Sequence, residues 1–289
     1  MWTAANVGKL KVGLSLYVND LCQLLHIPEP SALTWARAVD SQAELKAAAA
    51  DAMFYESDAG ALSEDGRVIM CHYPSRTTSD LYSVQLLSEV EERRIGLKID
   101  IKLEKLVGPI GDLLSRVKLD VPVWWNAAVF GEKKLPLKAL VDVATKDIVL
   151  SLGYIGTGFG EAERKHIIKQ LTEFGLLSAP SGEVACRHIT FAFSARLALS
   201  FNAELMKLLE ALPSTSLTLW TGATEYLIGL SVPEELQLRN ALPMSRVFLD
   251  IKPQTWLGWL MSWLQWTLFR PLRSPIDYFV DPYLQVVQA

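Results

Sequence analysis

Cysteine is scarce in this chain, and its three residues, Cys22, Cys71 and Cys186, are odd in number and at no spacing used by a zinc site. Neither a disulfide framework nor a thiolate metal centre is indicated, and a reducing compartment, the cytoplasm, is the expected location. Stretches dominated by Ser, Gly or Pro are missing as well. Nothing therefore marks a linker, and 289 residues with 50% hydrophobic content suffice for one large core. Basic clusters are also lacking: with a net charge of −4 and scattered Lys and Arg, an extended surface for nucleic-acid phosphates is not expected. The N-terminus interrupts its apolar residues with Lys9, Lys11, Asn19 and Asp20, which breaks the h-region a signal peptide needs. Residues 5–25 read instead as an amphipathic helix, with Val7, Leu10, Leu14, Leu16, Val18, Leu21 and Leu25 roughly on one side.

What is present centres on Asp51 to His72. The apolar run Ala52-Met53-Phe54-Tyr55 delivers Glu56 and Asp58, which share one face if the segment is a strand. Two carboxylates at one site repel each other unless a proton or a cation is shared, so the pair points to a hard divalent metal such as Mg²⁺ or Ca²⁺. Taken alone, they read equally well as solvated residues at a strand end. A second apolar run, Val68-Ile69-Met70-Cys71, then ends on His72. The third, Ile95 to Lys102, alternates perfectly and puts Lys98, Asp100 and Lys102 on one face and Leu97, Ile99 and Ile101 on the other.

Further strands are expected at Leu33 to Ala36, Val121 to Asn126, Ile148 to Gly153, His188 to Phe193, Ser216 to Trp220 and Arg246 to Ile251. Helical segments are expected at Gln42 to Ala50, with Asp40 or Ser41 as cap, and at Tyr82 to Arg94, Lys134 to Lys146, Gly160 to Phe174, Ala198 to Leu212 and Val232 to Asn240. Counting Asp51 to His72 as one unit, eight strands alternating with helices in one domain of about 250 residues, with no Gly-rich phosphate fingerprint after the first strand, favour a TIM (β/α)8 barrel over a doubly wound sheet. The expected layout is an N-terminal helical extension over 1–30, the barrel over 31–270 and a tail over 271–289. Chemistry in such a barrel collects at the C-terminal ends of the strands. Arg37, Glu56, Asp58, His72, Asp100, Lys102, Asn126, Tyr154 and Trp220 all fall there.

Two stretches carry weaker signals. Gly153 to Gly160 is glycine-rich and precedes a helix, but it lacks a Walker lysine and reads as a strand-to-helix loop near the mouth. Thr255 to Phe269 has no charge and holds four of the nine tryptophans. At about 22 Å of helix it is short of a membrane span. An apolar last barrel helix is one reading, covered by the N-terminal helix or the tail. Peripheral contact with a membrane surface or a protein through Trp256 to Phe269 is the other. His166 in a charged helical turn and His188 opening a strand read as solvated and packing residues.

The succession Trp35-Ala36-Arg37-Ala38-Val39-Asp40-Ser41, Tyr55-Glu56-Ser57-Asp58, Ile69-Met70-Cys71-His72-Tyr73-Pro74 and Gly96-Leu97-Lys98-Ile99-Asp100-Ile101-Lys102 resembles the menorin family. That family, named for sequence similarity 151, is an offshoot of the phospholipase-C-like and glycerophosphodiester phosphodiesterase barrels. The likeness continues through Pro122 to Ala127, Leu150 to Tyr154 and Ser216 to Trp220. What the resemblance implies is a barrel of the phospholipase-C-like phosphodiesterase type, acting on a glycerophosphodiester or a lysophospholipid-type headgroup. A divalent cation, Mg²⁺ or Ca²⁺, would be held by Glu56, Asp58 and Asp100. His72 would be the second of two acid–base histidines and Lys102 would serve the reacting phosphate, with Lys98 beside it on the same face as a substrate contact. Asn126 and Trp220 are read as substrate contacts from their places at strand ends alone, and a tryptophan in a strand is more often a core residue.

The first histidine is replaced. Where the family usually has His-Ala-Ala-Asn-Ser, this chain has Arg37-Ala38-Val39-Asp40-Ser41. Imidazole serves as acid or base because it titrates near neutrality, whereas a guanidinium stays charged and can only clamp a phosphate. Three readings of Arg37 stand at this point: a non-catalytic binder on the same barrel, an enzyme with His72 as its sole imidazole, or an arginine placed elsewhere by a shifted loop.

Overall fold

The computed structural model describes residues 16–252 apart from 118, 133, 145–146, 179–182, 185, 187 and 222–228. The first part of the expected N-terminal helix, and the whole of Thr255 to Phe269 with its expected membrane or protein contact, lie outside the described residues.

Eight parallel strands form a nearly closed barrel of the TIM type. In order around it they are β1 (Trp35–Ala36), β2 (Phe54–Leu62), β4 (Gly96–Ile101), β5 (Val123–Gly131), β6 (Val149–Ile155), β9 (His188–Ser194), β10 (Ser216–Trp220) and β11 (Val247–Asp250). The helices between them are α2 (Gln42–Ala47), α3 (Ser83–Arg93), α4 (Val107–Arg116), α5 (Leu137–Val141), α6 (Glu161–Glu173), α7 (Ala195–Ala211) and α8 (Val232–Ala241). Outward-facing residues such as Leu97, Ile99, Trp125, Leu150, Leu152, Phe191, Phe193, Leu217 and Leu219 form the main core with Leu86 and Val90 of α3, Ile110 of α4 and Leu205 and Leu208 of α7. The inward positions of the same strands hold many of the buried polar residues, such as Asp58, Lys98, Ser151, Thr190 and Thr218, which is why the strands read as alternating rather than continuously apolar.

Three departures from the sequence reading are found, and the first carries His72 to the site. Strand β2 runs on past Asp58 and turns into a hairpin with β3 (Val68–Met70), which pairs antiparallel to it outside the barrel wall. The hairpin requires glycine at position 60, because a Cβ there would run into the Cys71 carbonyl. Helix α4, unexpected because Gly108 and Pro109 interrupt its pattern, buries Val107 and Ile110. A small separate ribbon pairs β7 (Leu177–Ser178) with β8 (Glu183–Val184).

The interior is layered. At the N-terminal ends of the strands, Phe54, Trp124, Val149 and Phe248 pack against Tyr17, Val18 and Leu21 of α1 (Leu16–Leu24), which plugs that end. The Trp124 indole donates to the Tyr17 hydroxyl at 2.6 Å. His188, fully buried, stacks on Tyr17 with ring centroids 5.1 Å apart and shares a 2.8 Å hydrogen bond between Nε2 and Ser216 Oγ. It is the packing histidine expected of a strand opening. Above this layer the lumen is polar: Ser151 Oγ donates to Asn126 Oδ1 at 2.7 Å, and Thr190 and Thr218 hydroxyls are 2.8 Å apart.

Burial depresses the His188 imidazole to about 3. The folded protein then binds fewer protons than the unfolded chain at any pH between that value and the ordinary one near 6.5. The stability this contributes is fully present above about pH 6.5 and is lost as pH falls toward 3. Denaturant unfolding of His188→Asn beside the wild type is therefore expected to show a smaller loss from pH 7 to pH 4 in the variant. Parallel pH dependences would remove His188 as a source of acid lability.

Candidate functional site

The inward positions of β2 and β4 are in register, Glu56 opposite Lys98 and Asp58 opposite Asp100. This follows from period-two alternation on two adjacent parallel strands. One oxygen from each of Glu56, Asp58 and Asp100 lies within 4.8 Å of the others. Lys102, just past β4, returns its ammonium into this group, 2.8 Å from Asp58 Oδ1 and 2.5 Å from Asp100 Oδ2. The contact to Asp58 is an ion pair without the alignment of a hydrogen bond, whereas that to Asp100 is aligned.

The carboxylates are not equivalent. Burial, then the neighbouring Asp58 charge, pushes Glu56 up to about 7 despite Lys98. Burial likewise pushes Asp58 up to about 7, against the pull of Lys102. Burial would raise Asp100 too, but Lys102, Lys98 and a hydrogen bond from Asn126 together hold it below the usual carboxylate range. Burial works against the Lys102 ammonium, yet Asp100 and Asp58 keep it charged well above its ordinary range. One lysine between two carboxylates, with a third beside them, leaves negative charge in excess. An oxygen-only donor set of this kind suits a hard cation.

Asp40 adds to that excess. It does not cap α2; Ser41 does, accepting from the Glu44 amide at 3.2 Å. Asp40 is buried and accepts instead from the Asp58 amide at 2.7 Å and from Ser57 Oγ at 3.1 Å. Burial lifts it to about 6. Glu56 is positioned from the loop after β1: Ala38, at φ +51°, turns its amide to donate to Glu56 Oε2 at 2.9 Å. A left-handed alanine costs on the order of 1 kcal/mol, which that charge-assisted hydrogen bond offsets.

Arg37 and Lys98 converge on one partner, Asp250 at the end of β11. Arg37 Nε contacts Asp250 Oδ1, a terminal guanidinium nitrogen donates to Thr221 Oγ1 at 3.2 Å, and Lys98 Nζ donates to Asp250 Oδ2 at 2.8 Å. Lys98 also lies 5.2 Å from the centre of the Trp35 ring. Strands β1 and β11 are the two ends of the hydrogen-bonded strand path, so the Arg37 to Asp250 pair bridges the seam of the barrel. The sequence does not reveal this, since nothing local fixes the direction of Asp250. Its place in the run Val247-Phe248-Leu249-Asp250, two residues from the inward Phe248, is the one available signal.

His72 stands at the rim, its Nε2 3.7 Å from Asp58 Oδ2 and its side chain 38% exposed. Burial, reinforced by Lys102, lowers its pKa. Asn126 is in register with Asp100, and Trp220, half-buried at the end of β10, is in register with Asp250. The glycine-rich run from Gly153 leads into α6, whose first turn is capped from within by Glu163 Oε2 on the Gly160 amide at 2.9 Å. No described helix is long and apolar enough to cross a membrane.

Residues 30–256 match the model for the Menorin N-terminal domain. The chain belongs to the menorin family. Human Protein FAM151B (Homo sapiens) is 30% identical over 241 residues, which cover 77% of this chain and 83% of that protein. Within this menorin domain, Glu56, Asp58, Asp100, Lys102 and His72 meet at one end of the barrel, whereas Arg37 and Lys98 are drawn to its seam.

Proposed function

We propose that this menorin barrel binds a hard divalent cation, Mg²⁺ or Ca²⁺, through Glu56, Asp58 and Asp100, and receives there a phosphodiester of the glycerophosphodiester or lysophospholipid-headgroup type. The observation that carries the reading is the convergence of three carboxylates within 4.8 Å. When bound, such a cation supplies Lewis-acid polarisation of a phosphoryl oxygen. Lys102 orients Asp58 and Asp100 and offers positive charge to the incoming phosphate. His72 is the imidazole placed for proton transfer. Arg37 is a poor base and its charge is committed to Asp250, so acid–base work by a pair of imidazoles is not open to the chain. Hydrolysis is accordingly slow, on the order of 10²- to 10⁴-fold below a two-histidine site.

A second reading, a catalytically silent binding module on the same barrel, is favoured by that same engagement of Arg37. Calorimetric titration with Mg²⁺ and Ca²⁺, followed by an assay of a chromogenic phosphodiester, separates the two. Cation binding is expected in the wild type and should be lost, or weakened at least tenfold, in Glu56→Gln. Binding without turnover selects the silent module, and no binding removes the metal site. Glu56 and Asp58 titrate near 7, so cation binding at pH 6 should release protons. That release appears as a dependence of the binding heat on the ionisation enthalpy of the buffer and should vanish well above pH 7. A heat independent of buffer at pH 6 would mean that the carboxylates are already ionised.

A further inference from the structure

His72 leaves strand β3 two residues after Met70, and its place is fixed by the backbone, since the Cys71 amide donates to the Asp58 carbonyl at 2.7 Å. A tight turn follows, in which the Arg76 amide donates to the His72 carbonyl at 2.8 Å. Inside that turn Ser75 Oγ makes two contacts to the same residue, 2.9 Å to the His72 carbonyl oxygen and 3.1 Å to His72 Nδ1. A carbonyl oxygen can only accept. The one hydroxyl proton is therefore given to it, and the contact with Nδ1 must be made in the opposite sense, Nδ1–H donating to the serine oxygen. A neutral imidazole with its proton on Nδ1 has a bare Nε2, and Nε2 is the nitrogen that faces Asp58 Oδ2 across 3.7 Å. At that separation the two are not hydrogen-bonded to each other. A hydroxyl or water entering between them can give its proton to Nε2.

We propose that Ser75 is the positioning residue of the site: by donating to the His72 carbonyl and accepting from Nδ1–H, it holds the imidazole in the tautomer that presents Nε2 to the carboxylate cluster as proton acceptor. That Nε2 acts on a phosphodiester rests on the function proposed above; the tautomer itself does not. Nδ1 and Nε2 of a histidine are distinct groups, and which one carries the proton is set by the partner of the other nitrogen. Loss of such an outer partner from a site histidine lowers activity by roughly 10- to 100-fold where a metal site has been tested.

The test uses the full chain with its four histidines labelled with ¹⁵N. Long-range proton–nitrogen correlation spectra are recorded at about pH 8, above the ordinary imidazole range, and His72 is assigned by its disappearance in His72→Gln. In the wild type, Nδ1 is expected at the shift of a protonated ring nitrogen and Nε2 at that of a bare one. In Ser75→Ala the proton should move to Nε2 in most or all molecules, and Ser75→Thr, which keeps the hydroxyl, should resemble the wild type. Backbone amide spectra confirm that each variant is folded. A wild-type proton on Nε2, or an unchanged tautomer in Ser75→Ala, overturns the proposal. Where turnover is measurable, kcat should fall about 10- to 100-fold in Ser75→Ala with KM little changed, and recover in Ser75→Thr. A wild type that binds no cation and cleaves no phosphodiester overturns the preceding reading instead, while the spectrum still decides the tautomer.

Discussion

Asp250→Ala is expected to lower the free energy of unfolding by about 3–5 kcal/mol, because it leaves two cations without their shared partner in a largely buried site. The Lys98 and Asp250 side chains are each 5% exposed and Arg37 is 15% exposed. Their pairing therefore belongs with buried ion pairs, where the loss of one member strands the other. Urea unfolding followed by tryptophan fluorescence would measure the change. The internal comparison is Asp142→Ala, which breaks a pair with Lys138 whose side chains are 64% and 53% exposed, and which should move stability by less than about 0.5 kcal/mol. If the two variants proved equal, the seam ion pair would contribute no more than a surface contact.

Arg37→His should raise divalent-cation-dependent hydrolysis of a chromogenic phosphodiester by about 10²- to 10⁴-fold, the usual contribution of a general acid or base. The new imidazole would start beside Asp250, a carboxylate able to orient it. The gain should disappear when His72→Ala is added, since both imidazoles are then needed. The same substitution gives up the guanidinium contacts to Asp250 and Thr221, so the variant should also unfold at lower denaturant concentration than the wild type. A wild type already fast and made slower by Arg37→His would show the arginine to be part of a remodelled catalytic site. Silence in both proteins, with cation binding intact, would leave the barrel as a binding module.

Much of the mouth could be read from sequence because it depends on local periodicity. Glu56 with Asp58, and Lys98 with Asp100, are pairs separated by one residue on strands that lie side by side, and alternation is enough to aim them into the same lumen. The barrel followed from the count of such strands. Asp250 was hidden for the opposite reason: its importance comes from closure, a contact between the two ends of the strand path that no local pattern encodes. Asp40 was obscured by a rule that is right on average, since Asp and Ser are both good helix caps. Here adjacent residues divide the tasks, with Ser41 at the helix and Asp40 at the Asp58 amide. The continuation of β2 beyond Asp58 was likewise invisible, because the polar turn around Gly66 could follow a short strand or a long one.

The seam pair described above also bears on how such a chain can change. Arg37 fastens the first strand to the last, and Asp250 has its charge met from two sides. A histidine introduced at 37 alone gives up that fastener before the new imidazole is well placed. Substitutions at 37 and 250 are therefore expected to be non-additive, since the two side chains share one contact.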